Sequence, residues 1–177
     1  NRIIYLKKVR KFERISNGKK INRELFAIEE FEDINKISPI TQVSGLCFDE
    51  NRKVLIVSSK PGKWGLPGGK PENNETAEET LRREVKEEAC VNLKKVFPLA
   101  FVKVNFPENP NKSEGNIFYQ GRYLALVDSV DTIEKDPVTG IKFKRIFISP
   151  EKFTEYIRWS DASELISMAI KKLREIR

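Results

Sequence analysis

Residues 69–91 read GKPENNETAEETLRREVKEEACV, and this stretch decides the fold. It follows directly on Gly68, so a pair of glycines leads into it. Thr76-Ala77-Glu78-Glu79 fits a capping box, in which a threonine and a glutamate three residues later satisfy the first backbone N–H groups of a helix. The apolar residues behind it recur every four positions, as the buried stripe of a helix does: Ala77, Leu81 and Val85. We therefore expect a glycine turn and then an amphipathic helix that ends near Ala89.

Carboxylates crowd the other side of this expected helix. Glu84, Glu87 and Glu88 stand at i, i+3 and i+4, so their side chains share one face. Like charges at this spacing repel and cost some helix stability. A hard divalent cation would reverse the sign of that interaction, because Mg²⁺ and Mn²⁺ prefer carboxylate oxygens. The pattern favours a metal site on this helix.

The same segment resembles the Nudix box, in which glycine, glutamate, an Arg-Glu-aliphatic triplet, a glutamate pair and a Gly-aliphatic pair lie at fixed offsets. Cys90 stands where the family has glycine, and Trp64-Gly65-Leu66-Pro67-Gly68 resembles the stretch that enters the box. An ordinary charged surface helix accounts for residues such as Lys86 but not for the glycine turn or the lone Glu75. Eight of the nine defining positions are in register: Gly69, Glu75, Arg83, Glu84, Val85, Glu87, Glu88 and Val91.

This resemblance implies a fold and a set of roles. The fold would be α+β, an αβα sandwich with a mixed central sheet and a catalytic loop-helix-loop. Gly69 and Glu75 would brace the loop, and Arg83 would orient a catalytic glutamate through its two-pronged guanidinium. Catalysis would rest on Arg83, Glu84 and Glu87. The metal ion, Mg²⁺ or alternatively Mn²⁺, would be held by the backbone carbonyl of Gly68 and by Glu84, Glu87 and Glu88.

The general base is left open by the sequence. Some relatives use a glutamate of the box and others use one from a later loop. The box candidate is Glu84, and the loop candidates are Glu108, Glu114 and Glu134. Each loop glutamate is more often a plain surface residue.

Composition narrows the chemistry. The 177 residues fit one domain with a short extension, and the formal net charge of +7 suits a polyanionic substrate, although a lysine-rich surface is the simpler explanation. Histidine is absent, which excludes nucleophiles activated by histidine and zinc sites with histidine ligands. The absence also argues against an isopentenyl-diphosphate isomerase, because those enzymes resemble Nudix proteins but use histidines at their metal. The two cysteines, Cys47 and Cys90, indicate reduced thiols and a cytoplasmic protein. We expect no membrane segment and no signal peptide.

The chain divides into residues 1–40, an N-terminal extension or hairpin, and residues 41–177, the hydrolase domain. Nine basic residues fall among the first 23, and Asn17-Gly18 predicts a tight turn between strands at about 3–15 and 20–31. This hairpin could cover the domain, form a homodimer or bind nucleic acid, and a solvated lysine-protected edge is favoured. Further strands are expected at 43–48, 54–57, 97–104, 117–127 and 141–148, and an amphipathic helix at 163–176 is expected to be capped by Ser160 or Asp161.

The substrate-binding residues are unknown at this stage. Aromatic residues of the expected strands could stack on a base, although aromatics that alternate along a strand usually belong to the core. The aromatic candidates are Phe101, Phe106, Phe118, Tyr119 and Tyr123. The basic candidates for contacts with phosphates are Lys103, Lys112 and Arg122, and solvation at the surface is the alternative for each.

The resemblance implies a Mg²⁺-dependent hydrolase that cleaves the pyrophosphate linkage of a nucleoside diphosphate derivative. A modified nucleoside triphosphate is favoured, with ADP-ribose next. The alternatives are a non-catalytic Nudix module that senses a nucleotide, and an RNA 5′-end pyrophosphohydrolase. Sensor modules usually lose the box carboxylates, and this chain keeps them.

Overall fold

A mixed β-sheet forms the centre of the protein. The computed structural model describes residues 6–28, 37–133, 140 and 142–176. In this part of the chain the sheet has nine strands in the order β1-β2-β7-β8-β3-β4-β5, with β6 beside β3 and β9 beside β4. The strands are β1 Leu6–Ser16, β2 Lys19–Ile28, β3 Ile40–Phe48, β4 Val54–Lys60, β5 Lys63–Gly65, β6 Gly68–Gly69, β7 Val91–Asn105, β8 Ile117–Val130 and β9 Lys144–Ile148.

Helices cover both faces of this sheet because each strand alternates its side chains between two cores. On one face, α1 (Ala77–Ala89) packs over a core that includes Val43, Cys47 and Tyr123. On the other face, α2 (Phe153–Tyr156) and α3 (Ala162–Glu175) pack over a larger core that includes Leu46 and Leu124. The pairing of β3 with β8 is parallel and the other pairings are antiparallel, so the sheet is mixed as predicted.

The N-terminal hairpin belongs to the same sheet. Asn17 and Gly18 form its turn with φ of 50° and 75°, the left-handed region that such turns require. β2 then pairs with β7 from Asn22↔Asn105 to Ala27↔Ala100, which leaves β1 as the edge strand. The two predicted strands are confirmed within residues 6–28, and the remainder of both predictions lies outside the described residues.

The sequence missed the shortest elements. The strands expected from the sequence did not include β5 and β6, and β6 pairs with Val43 and Ser44 of β3. A 3-10 turn at Pro150–Lys152 and the four-residue α2 were also missed, because so few residues show no periodicity. Asp161 occupies the N-cap position of α3, but its side chain makes no capping hydrogen bond there.

No helix within residues 6–28, 37–133 and 142–176 is both long enough and apolar enough to cross a membrane.

Candidate active site

The loop and helix of residues 68–90 form as the sequence predicts. The Thr76 hydroxyl accepts a hydrogen bond from the Glu79 backbone N–H at 3.2 Å, and the Glu79 carboxylate accepts one from the Thr76 N–H at 2.7 Å. This capping box starts α1, and the helix ends at Ala89. Leu81 and Val85 are fully buried, so the apolar stripe faces the sheet and the carboxylates face outward.

The two glycines of β6 are required by close approach rather than by unusual dihedral angles. A Cβ on Gly68 would lie 2.0 Å from the Val43 carbonyl oxygen, and a Cβ on Gly69 would lie 2.1 Å from Glu84 Oε1. Only glycine lets this strand pass between β3 and the face of α1 that carries the carboxylates. Position 69 therefore sets the distance between the loop and Glu84.

Arg83 links the loop to the helix. Its Nε donates to Glu75 Oε1 at 2.6 Å, its Nη2 donates to Glu75 Oε2 at 3.2 Å and to the Lys70 carbonyl at 3.0 Å. Its Nη1 donates to Glu84 Oε1 at 2.8 Å and to Glu87 Oε2 at 3.3 Å. Hydrogen bonds from Arg83 come first among the causes that lower the pKa of Glu75 to about 2. One guanidinium thus orients three carboxylates of the site.

Glu88 is held differently. Its Oε1 accepts a hydrogen bond from the Gly68 N–H at 3.3 Å. Burial, followed by the nearby charges of Glu84 and Glu87, raises the pKa of Glu88 to about 8. A half-buried carboxylate crowded by two others is the situation that a divalent cation relieves.

The oxygen atoms at this site are of the chemical kind that binds a divalent metal ion. They are carboxylate oxygens on one helix face, next to a glycine strand whose backbone lies close to them. In the described part of the chain, however, no three acidic or cysteine side chains are arranged as a ready-made metal site. Arg83 donates hydrogen bonds to Glu84 and Glu87. A metal ion held by these carboxylates would therefore compete with Arg83 for them.

Cys90 adopts the conformation of the glycine that it replaces. Its φ of 52° and ψ of 43° are left-handed, and its N–H donates to the Lys86 carbonyl at 3.0 Å. The helix therefore ends with a left-handed residue, as it would with glycine, and the cysteine side chain makes that residue strained. A non-glycine residue there costs about 1 kcal/mol.

The loop glutamates differ in their distance from the box. Glu114 forms an ion pair with Lys70, the residue that follows Gly69, with Oε1 3.5 Å from Nζ. Glu108 is exposed, and its backbone carbonyl accepts a hydrogen bond from Lys19. Glu134 lies outside the described residues. Of the three, Glu114 is the one that the structure brings to the box loop.

Most of the candidate aromatics belong to the core. Phe101, Phe118 and Tyr123 are at most 7% exposed and pack inside the two apolar clusters or against neighbouring rings, so they are not available to stack on a base. Tyr119 is half-buried at the edge of the Phe101 ring, 5.7 Å between centroids, and Phe106 packs against the larger core. Among the three basic candidates, Arg122 lines a cavity, Lys103 is half-buried on β7 and Lys112 is exposed on a loop.

That cavity was not predicted. It has a volume of about 600 Å³ and lies on the face of the sheet opposite α1. Its wall includes Ser44, which pairs with Gly68 across β3 and β6, so the cavity begins where the box loop enters the sheet. Polar residues at alternate strand positions were the available signal, since apolar residues surround them in the sequence. The lining residues are Arg14, Arg23, Gln42, Ser44, Gln120, Arg122, Arg158, Trp159, Ser160 and Asp161.

Comparison with known proteins agrees with this arrangement. The NUDIX domain family model matches residues 39–176, which include the whole loop and helix. The chain belongs to the Nudix family. A mutant of the Bacillus subtilis pyrophosphohydrolase BsRppH has the same fold, with a TM-score of 0.61, 21% identity and coverage of 93% of this chain and 96% of that one. The predicted Nudix-type αβα fold with its mixed sheet is therefore confirmed.

Two further relatives carry different names. An ADP-ribose pyrophosphatase from Streptococcus suis shares the fold with a TM-score of 0.55 and 17% identity, over 79% of this chain and 96% of its own. An 8-oxo-dGTP diphosphatase from Proteus vulgaris is 36% identical over 70 residues, which are 37% of this chain and 62% of that protein. This chain thus spans less than two thirds of the length of that relative.

Proposed function

We propose that this Nudix protein is a pyrophosphohydrolase that uses Mg²⁺, or alternatively Mn²⁺, to cleave the pyrophosphate linkage of a nucleotide. The observation that carries the proposal is the set of three carboxylates, Glu84, Glu87 and Glu88, on one face of α1 beside the Gly68–Gly69 strand. Nudix hydrolases generally use divalent metal ions, and this chain retains the acidic residues that would hold one. The named pyrophosphohydrolase and diphosphatase relatives support the same reaction class.

Each residue of the site has its own proposed role. Glu84, Glu87 and Glu88, with the Gly68 carbonyl, would hold the cation. When bound, the cation neutralises phosphate charge and lowers the pKa of a coordinated water. Arg83 and Glu75 fix the loop against the helix, so that the substrate phosphates meet an already ordered site. A water oxygen attacks one phosphorus, the bridging P–O bond breaks, and a carboxylate accepts the proton of the water. Glu84 is our candidate for this base, and Glu114 is the loop alternative because of its position beside Lys70.

For the substrate we favour a modified nucleoside triphosphate, such as an oxidised purine nucleotide, with ADP-ribose next. The 8-oxo-dGTP diphosphatase relative supports the first choice, with 36% identity over the 70 matched residues. An RNA 5′ end is the third choice, supported by the basic N-terminal hairpin. We also propose that the protein is cytoplasmic. The division of the chain into an N-terminal extension, residues 1–40, and a hydrolase domain, residues 41–177, stays a prediction. The homodimer stays a prediction as well.

A binding module without catalysis is the second candidate function. Arg83 holds Glu84 and Glu87 in hydrogen bonds, so metal binding has to compete with an existing ion-pair network. If the network is too stable to open, the protein would bind a nucleotide without cleaving it. The two functions are therefore separated by turnover and not by binding.

The test is a panel of substrates with Mg²⁺: dGTP, 8-oxo-dGTP, ADP-ribose and a 5′-triphosphorylated oligoribonucleotide, with release of phosphate and pyrophosphate measured. Glu87→Gln should lose at least about a hundredfold in kcat because it removes a metal ligand. Glu78→Gln is the matched control, since Glu78 is exposed on the same helix and pairs only with Arg82 in the described structure. Tight binding of one nucleotide without turnover of any would favour the sensor.

A further inference from the structure

The cavity behind the box is completed by residues that lie outside the family match. Arg14 comes from β1 and Arg23 from β2, whereas the match to the NUDIX model begins at residue 39. The hairpin is also fixed to the opposite rim of the cavity. Arg10 Nη1 donates to the Ser160 carbonyl at 2.9 Å and to Glu164 Oε1 at 2.8 Å, which joins β1 to the start of α3. The hairpin is thus a wall of the cavity.

Charge in this cavity is unbalanced. Four arginines line it, Arg14, Arg23, Arg122 and Arg158, against the single carboxylate of Asp161. Burial lowers the pKa of Arg23 and Arg122, and the charge of Asp161 partly offsets this effect. In the described part of the chain, no carboxylate lies within 4.0 Å of either guanidinium. Two buried cations without a close counter-ion are costly unless an anion joins them.

The hydrogen bonds of these two arginines leave donors unused. Gln120 Oε1 accepts from Arg23 Nη2 at 2.7 Å and from Arg122 Nη2 at 3.1 Å, so one neutral oxygen serves both. The Nε atoms of Arg23 and Arg122 are buried without a hydrogen-bond partner, and Arg122 is only 3% exposed. A planar guanidinium with free N–H groups is suited to the oxygens of a phosphate.

A neutral base fits the cavity less well than an anion. The Arg122 guanidinium lies over the Trp159 ring, 4.9 Å from its centroid, and this contact occupies one face of the indole. The other aromatics considered above lie in the core or at its edge. Hydrogen bonding to a base would need one guanidinium or amide, whereas an excess of three positive charges at the lining indicates a charged ligand.

We propose that this cavity binds a second phosphate, carried on the part of the substrate that is not cleaved, and that Arg14 and Arg23 of the hairpin determine this specificity. The inference rests on the proposed function, because it takes the cleaved anhydride to lie at the α1 carboxylates. Ser44 lines the cavity and pairs with Gly68, which lies beside the α1 carboxylates, so one substrate can reach both the cavity and the carboxylates. Two sources carry such a phosphate: the phosphomonoester of a mononucleotide, and the phosphodiester that follows the first nucleotide of an RNA 5′ end.

Three probes distinguish these sources: GTP, GTP bearing a 3′-monophosphate, and a 5′-triphosphorylated dinucleotide that begins with guanosine. The wild type should cleave one or both of the phosphate-bearing probes with a kcat/KM about tenfold above that for GTP. Preference for the 3′-monophosphate identifies a mononucleotide, and preference for the dinucleotide identifies an RNA end. Equal kcat/KM for all three probes would overturn the proposal.

Substitutions then assign the effect to the hairpin. Arg14→Gln and Arg23→Gln should each reduce the preference by about tenfold, through a higher KM for the phosphate-bearing probe. Lys11→Gln is the matched control, since it removes one positive charge from an exposed position on the same strand. It should keep the preference. A preference unchanged in both Arg14→Gln and Arg23→Gln would show that the cavity does not bind phosphate.

Two further measurements keep the outcome interpretable. Arg14 is exposed, so Arg14→Gln tests the idea even if the half-buried Arg23 proves necessary for folding. If the wild type cleaves no nucleotide, the proposed function fails while this inference is still tested by calorimetric titration of the same three probes into Glu87→Gln. Tighter binding of the phosphate-bearing probes, weakened by Arg14→Gln in that background, would support it, and equal binding would refute it.

Discussion

Arg83 and Glu75 form a two-pronged ion pair, with Nε 2.6 Å from Oε1 and Nη2 3.2 Å from Oε2. Glu75 lies one residue before the helix cap, and Arg83 lies two turns into the helix, so the pair closes the loop onto α1. The Thr80 hydroxyl donates to the same carboxylate at 2.9 Å. Glu75 is 18% exposed, which makes this a partly buried contact and therefore stronger than a surface ion pair. The loop carries Gly68 and Gly69, so the pair sets their position.

Removal of the Glu75 charge should make the protein less stable at neutral pH but not in acid. The pKa of Glu75 falls from 4.5 to about 2 on folding, so its stabilising effect is complete above about pH 4.5 and is lost as the pH falls toward 2. Glu75→Gln should lower the unfolding free energy by about 1–2 kcal/mol at pH 7, and the difference from wild type should shrink between pH 5 and pH 2. Urea unfolding at pH 7, 5 and 3 measures this. The exposed Glu78→Gln should differ from wild type by less than about 0.5 kcal/mol, and a Glu75→Gln difference constant with pH would contradict the assignment.

Metal binding should stabilise the wild type much more than Glu88→Gln. Glu88 is half-buried and crowded by Glu84 and Glu87, so a neutral glutamine should raise the melting temperature of the metal-free protein. Mg²⁺ or Mn²⁺ at a hundred times its Kd should stabilise the wild type by about 2.7 kcal/mol. Glu88→Gln should lose most of that response, and Glu78→Gln should keep it. Thermal unfolding with and without the cation is the measurement, and an equal response in Glu88→Gln would remove Glu88 from the ligand set.

The left-handed residue at the end of α1 predicts a stabilising substitution. Cys90→Gly relieves the strain of a Cβ at φ 52°, and part of this gain is offset by the greater freedom of glycine in the unfolded chain. We expect a net increase in unfolding free energy of about 0.5–1 kcal/mol, with activity retained. Cys90→Ala is the control, because alanine keeps the Cβ and should bring no such gain. If alanine and glycine stabilise equally, the strain is not at the backbone.

Local chemistry explains why the box could be predicted. The cap at Thr76, the stripe of Leu81 and Val85 and the i, i+3, i+4 carboxylates all belong to α1 and its cap. On one helix, the spacing of residues in the sequence determines their spacing in the structure. The network around Arg83 follows from the same segment. The position of Glu114 beside Lys70 does not, because it depends on how the loop between β7 and β8 folds back.

The cavity could not be predicted for a related reason. Arg14, Arg23, Arg122 and Asp161 are brought together by the pairing of β2 with β7 and of β7 with β8, and by the ion pair from Arg10 to α3. Pairing register between distant strands leaves almost no mark on a single sequence. The same distance hides the burial of Phe101, Phe118 and Tyr123, which the sequence left open between core and base stacking.

Gly69 should be required for activity because a side chain at this position would collide with Glu84. A Cβ at this position would lie 2.1 Å from Glu84 Oε1 and 2.3 Å from its carboxyl carbon, so Gly69→Ala must push Glu84 off the face that it shares with Glu87 and Glu88. A displacement of about 1 Å at a catalytic group can cost roughly a hundredfold in rate. We expect that loss in kcat, with a smaller loss of stability because the side chain of Glu84 can rotate. Gly65→Ala is the matched control, since a Cβ there would meet nothing within 4 Å in the described structure. Steady-state kinetics and melting temperatures of the two variants measure the difference, and equal activity would mean that Glu84 can move without harm to the reaction.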